Sequence, residues 1–135
     1  MNQVALEQTQ VRATANAAGF DMSLLAGSWI NTNASPSFMR SLQLEPSGNQ
    51  LIMRVTGAEP GLPEDWGASE AQPFAENTAS LQAMAFTASF DLGAVESLLQ
   101  GYVVKGVLVI VSFTQVKDGR SRSSSFGKEF FYRVS

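Results

Sequence analysis

From Leu24 onward, apolar and polar residues alternate with a period of two, the mark of strands with one face buried. Residues 27–32 (GSWINT) predict a first strand. Phe38, Arg40, Leu42 and Leu44 then alternate with Met39, Ser41, Gln43 and Glu45. A turn is predicted at 46–49 (PSGN), because proline presets φ and glycine or asparagine tolerates positive φ. Leu51, Met53 and Val55 alternate with Ile52, Arg54 and Thr56, so the second and third strands read as a hairpin. A Pro/Gly loop follows. Residues 67–76 predict a weaker fourth strand, in which Pro73 marks an edge, a bulge or a strand end.

The second half is stronger. Residues 81–91 place Met84, Phe86, Ala88 and Phe90 on one face. Residues 94–104, 107–116 and 123–134 complete the set, with turns at Asp91-Leu92-Gly93, Lys105-Gly106 and Asp118-Gly119. On the last strand Phe126, Phe130 and Tyr132 share a face and Phe131 takes the other. The seventh, VLVIVSFTQV, is apolar on both faces, which leaves large side chains pointing outward. A second subunit is the expected cover, with the N-terminal segment as the alternative.

Eight strands, short connections and no helix between them predict an all-β protein. An open sheet would leave two edges and an uncovered apolar face, whereas closure removes both. The expected fold is an eight-stranded antiparallel up-and-down β-barrel over residues 23–135. Residues 1–22, rich in Ala, Gln, Asn and Thr with a thin apolar stripe at Val4, Val11, Ala15 and Ala18, predict a helical or disordered extension.

Composition narrows the chemistry more than the fold. The 135 residues are 44% hydrophobic and 16% charged, as in a globular domain. The absence of cysteine and histidine excludes disulfides, thiol nucleophiles, Cys/His zinc sites and histidine acid–base relays. There is no Asp-rich calcium loop and no glycine-rich phosphate loop ahead of a helix, so neither metal nor cofactor is expected. The net charge is −3, and the one basic cluster, Lys117, Arg120 and Arg122, reads as a solvated hairpin tip rather than a nucleic-acid surface. The apolar run 107–111 is too short to span a membrane. The N-terminal residues lack the basic and apolar regions of a secretory signal, so a cytoplasmic location is expected.

Gly27-Ser28-Trp29 reads G-x-W on the first strand, and the chain closes with Phe131-Tyr132-Arg133. This pairing resembles the calycin superfamily of lipocalins, fatty-acid-binding proteins and avidins. The resemblance implies that Trp29 plugs the barrel floor under the guanidinium of Arg133. The longer string GSWIN resembles the avidin opening G-x-W-x-N, which would give Asn31 a polar ligand contact. Avidins carry several further tryptophans, where this chain has only Trp66. Residues 60–67 (PGLPEDWG) look similar to an element of small bacterial calycin-like proteins of unknown role.

The expected function is therefore the binding of a small, mainly hydrophobic molecule inside the barrel. The alternative is a cofactor-free cyclase or isomerase, of the Diels–Alderase or allene-oxide-cyclase kind, working by shape and excluded water. Small residues, Ala83, Ala85, Ala88, Ser89, Gly101 and Ser112, suggest a hollow interior. Candidate ligand contacts are Asn31, Arg40, Trp66, Met84, Phe86, Phe90, Thr114, Phe130 and Tyr132. Candidate catalytic groups are Tyr132, Arg40, Glu129 and Tyr102. Trp66, in a loop beside Glu64 and Asp65, reads as either a loop anchor or a lid over the barrel mouth. Arg40 either enters the interior or is turned out by a bulge, with Glu129 as a possible partner.

Overall fold

A computed structural model describes residues 19–117 and 124–135. It is a closed antiparallel meander of eight strands: β1 (Gly27–Asn31), β2 (Met39–Ser47), β3 (Gln50–Gly57), β4 (Asp65–Ala75), β5 (Ala83–Asp91), β6 (Val95–Val104), β7 (Val107–Val116) and β8 (Ser125–Arg133). β8 returns to β1 through the pairs Trp29–Arg133, Ile30–Tyr132 and Asn31–Phe131. The expected all-β up-and-down barrel is the fold observed. The predicted N-terminal helix or disorder lies outside the described residues except at 19–22, where Asp21 bridges to Gln82 and Met22 is buried instead; the Asp118-Gly119 turn lies wholly outside them. No helix among the described residues is long and apolar enough to cross a membrane.

Both strand prolines sit where a neighbouring strand has run out. Pro46 pairs with Leu51 of β3, beyond the last β1–β2 pair, Gly27–Leu44. The predicted turn at 46–49 therefore shrinks to Gly48-Asn49, with Gly48 at φ 61°. Pro73 pairs with Phe86 of β5, beyond the last β3–β4 pair, Leu51–Ala71. Each proline's missing N–H falls on an unpaired flank.

The inward positions fill the barrel. Met39, Leu51, Met53, Leu99, Leu108, Ile110 and Phe131 expose no surface that a water molecule could touch, so no water-sized void abuts them. The small residues make room for large neighbours. A Cβ on Gly101 would lie 2.3 Å from the Phe86 ring, and one on Gly127 would lie 2.7 Å from Ser112 Oγ. The space that suggested a hollow interior at Gly101 is occupied by an aromatic ring.

Residues 20–26 close the lower end. Asp21 bridges to Gln82, and Met22 and Leu25 are buried beneath the barrel. Trp29 stands above them. Its Nε1 donates to Leu25 O at 2.9 Å, and the guanidinium carbon of Arg133 lies 4.7 Å from its ring centroid. Arg133 also donates to the carbonyls of Ser23 and Leu24, tying β8 to this floor. Gly27, at φ 133°, lets the chain enter β1 hard against Ser135, whose carbonyl would collide with any Cβ there.

Candidate functional site

Two regions carry chemistry: the upper end of the barrel, and the outer wall of β6, β7 and β8.

At the upper end Trp66 is buried at the start of β4. Its ring lies 4.8 Å from Phe38 and 5.4 Å from Phe90, centroid to centroid. Locally, Asp65 Oδ1 accepts from Gly67 N at 2.8 Å, and Gly57 N donates to Glu64 O at 2.6 Å. This fixes the loop so that the indole rests on Gly57, where a Cβ would lie 2.4 Å from Nε1. The two tryptophans therefore close opposite ends. Trp29 Nε1 has a carbonyl partner, whereas Trp66 Nε1 is buried without one.

Beside this aromatic cap runs a polar seam, which begins at Ser97, the cross-strand neighbour of Phe90. Ser97 and Thr114 hydroxyls lie 2.9 Å apart across β6 and β7. Glu129 on β8 is half-buried. Its carboxylate accepts from Asn31 Nδ2 at 2.9 Å and from Met39 N at 3.2 and 3.4 Å. Asn31 Nδ2 also donates to Met39 O at 2.8 Å, and Asn31 Oδ1 accepts from Asn33 N at 2.8 Å. These two side chains join β1, β2 and β8 where the β2–β3 register shifts between Met39 and Ser41. That donor-rich contact explains Asn31 and Glu129 without a ligand.

Burial pushes the Glu129 carboxyl above the ordinary glutamate value of 4.5, against the lowering effect of the Met39, Asn31 and Phe38 hydrogen bonds. A raised folded-state value means the protonated form is favoured by folding. Its stabilisation is present below about pH 4.5 and is lost as pH rises through the raised value. Glu129→Gln will remove that part of the pH dependence. Urea midpoints of the wild type and the variant across pH 4 to 8 check this; parallel curves would refute it.

Several candidate residues point elsewhere. The register shift beside Arg40 turns it to solvent. Among the described residues the one ion pair is Lys117–Asp91 at 2.6 Å, so Glu129 is not its partner. Phe130 and Tyr132 are 43% and 48% exposed and lie on the outside, because Phe131 takes the inward position opposite Leu108. Tyr102 pairs with Val109 and shares that outer face. Phe86 and Phe90 face inward, Met84 is partly buried, and Thr114 belongs to the polar seam. Of the four catalytic candidates, only Glu129 reaches the interior end of the barrel. Ser97 was not anticipated, although its alternation with Leu99, Gly101 and Val103 would have placed it inside.

The chain matches no protein-family model, no curated protein and no solved structure.

The outer wall runs over four successive rows of cross-strand neighbours, three of them apolar throughout. Leu98–Phe113–Phe126 comes first, then Gln100–Val111–Lys128, Tyr102–Val109–Phe130 and Val104–Val107–Tyr132. Phe113 and Phe126 meet edge to face at 5.5 Å, yet Phe126 remains 64% exposed. A concavity of about 450 Å³ opens along the top row, lined by Leu98, Phe113 and Phe126 and rimmed by serines. The opposite wall is polar: Arg40, Gln43, Glu45, Arg54, Glu70 and Gln72 all face solvent. A second concavity there, about 440 Å³, is lined by Gln43, Arg54, Glu64 and Asp65 among others.

Proposed function

We propose that this barrel is an interaction module whose working surface is the outer wall of β6, β7 and β8. The carrying observation is the contrast between a filled interior and an outer face on which large apolar side chains of β6, β7 and β8 stand exposed on both sides of one polar pair, Gln100 and Lys128. Leu98, Val104, Phe113, Phe126, Phe130 and Tyr132 are between 41% and 64% exposed. Scattered apolar residues are normal on a protein surface, but a contiguous patch marks a docking site. The wall is aromatic-rich and poor in charge, as interface centres are. A membrane barrel would show the reverse arrangement, polar inside and apolar all round. The meander and the Trp29–Arg133 floor also support a place for this chain beside the calycins.

A photo-cross-linking amino acid at position 130 tests the reading in cells producing the full chain. Covalent protein adducts are expected from position 130 and not from position 54 on the polar wall. Adducts from neither position, or equally from both, would overturn it.

A second reading keeps the container. Trp66 Nε1 is buried and lacks an acceptor, and such a group costs on the order of 1–3 kcal/mol. A small hydrophobic molecule bearing a carbonyl would satisfy it once the Phe38–Trp66–Phe90 cap opened, since Nε1 rests against Gly57 in the closed form. The same location would serve a cyclase or isomerase, with Glu129 as its titratable group. Native mass spectrometry of the purified protein decides: a retained small molecule supports this reading, and the bare chain mass opposes it.

A further inference from the structure

The wall has an internal pattern that selects its partner. Each of its four rows is centred on β7, with one neighbour on β6 and one on β8. Leu98 balances Phe126, Tyr102 balances Phe130, and Val104 balances Tyr132. The remaining row sets Gln100 against Lys128 on either side of Val111. Apolar positions thus mirror apolar positions about β7, and the polar position mirrors the polar one.

From this we infer, resting on the interaction-module reading above, that the partner is a second copy of this chain. The two walls pack face to face about a two-fold axis running along β7. Rotation about that axis places β6 of one copy over β8 of the other in the same row. Lys128 then lies over the partner's Gln100, whose amide oxygen accepts from the ammonium, and the contact occurs twice. In the next row Phe130 packs against the partner's Tyr102, over Val109, which is only 6% exposed. A symmetric interface must be complementary to itself, and this wall meets that condition row by row. Two sheets packed this way keep their strands within about 30° of one another, the ordinary aligned geometry.

The size of the wall sets the strength. Four rows along strands rising about 3.3 Å per residue, across strands about 4.8 Å apart, give a footprint of roughly 20 by 20 Å with its flanks. That is about 400 Å² a side, below the standard specific interface and in the range of weak, transient ones, so dissociation in the tens-of-micromolar range is expected.

Sedimentation velocity of the full chain from about 1 to 200 μM, with exposed-site variants, tests the arrangement. Gln100→Glu sets a carboxylate against Lys128 and will tighten the dimer about tenfold; Gln100→Lys sets two cations together and will weaken it by a similar factor. Phe130→Lys, 43% exposed on the wall, will abolish it. A wild-type monomer throughout that range overturns the second copy as partner. The docking reading then stands or falls on the cross-linking at position 130. A dimer that Phe130→Lys breaks, but on which the two Gln100 variants do not act oppositely, keeps the wall as the interface and overturns the two-fold along β7. A dimer untouched by Phe130→Lys overturns both.

Discussion

Trp29→Ala will destabilise the barrel by about 3–5 kcal/mol, the usual cost of deleting a buried aromatic ring. Three losses coincide there. The fully buried indole leaves a void between the floor and the interior. Leu25 O loses the Nε1 donor, and the Arg133 guanidinium loses the ring beneath it. Arg133 also holds the carbonyls of Ser23 and Leu24, so the floor segment loosens with it. Natural domains are stable by about 5–15 kcal/mol, which makes this a large fraction of the whole. Urea denaturation of the variant measures it. Trp29→Phe separates the terms: it keeps most of the ring but leaves Leu25 O unpaired, for about 1–2 kcal/mol. If Trp29→Ala costs under about 1 kcal/mol, below the usual range for a buried tryptophan, then Trp29 is no plug.

The second large effect belongs to Gly101. Any side chain there strikes the Phe86 ring, since even a Cβ would stand 2.3 Å from it. Gly101→Leu will cost upward of about 3 kcal/mol, at the high end for overpacking. Adding Phe86→Ala to it will restore part of the loss, although Phe86→Ala alone is destabilising. The two residues are cross-strand neighbours, and such pairs couple by about 0.5–3 kcal/mol in a double-mutant cycle. The cycle also measures how full the barrel is. With empty space beside it the ring would swing aside, Gly101→Leu would cost little, and no coupling would appear.

These expectations depend on knowing which face of each strand points inward, and the sequence was least informative there. Strand existence, order and closure were legible, because period-two alternation and Gly, Pro and Asp turns mark them locally. Facing was legible on β5, where Phe86, Ala88 and Phe90 contrast with threonine and serine. It was not legible on β7 and β8, where both faces carry large apolar residues. Phe126, Phe130 and Tyr132 outnumber Phe131, yet Phe131 is the inward residue. Closure decides the matter: β8 pairs with Leu108 and Ile110 on one side and with Asn31 on the other, and the pleat admits one choice. The same non-local origin hid the orientation of Arg40, which a one-residue register shift turns outward. It also hid the Asn31–Glu129 contact, which spans 98 residues of chain. Ile110 is fully buried inside, and Val109 beside it takes the outer side, where its neighbours leave it only 6% exposed.

Closure has an energetic side as well. Seven of the eight ladders join strands adjacent in the chain, so each can form as a local hairpin at small entropic cost. The β1–β8 ladder is different. It has three residue pairs where β6–β7 has ten, and it closes a loop of about a hundred residues. The cylinder is therefore weakest along one line. The Trp29–Arg133 stack at its lower end and the Asn31–Glu129 bond at its upper end are the rivets on that line. A barrel that opened would become a twisted eight-stranded sheet with β1 and β8 as its raw edges, and those two pairs decide how rarely that happens.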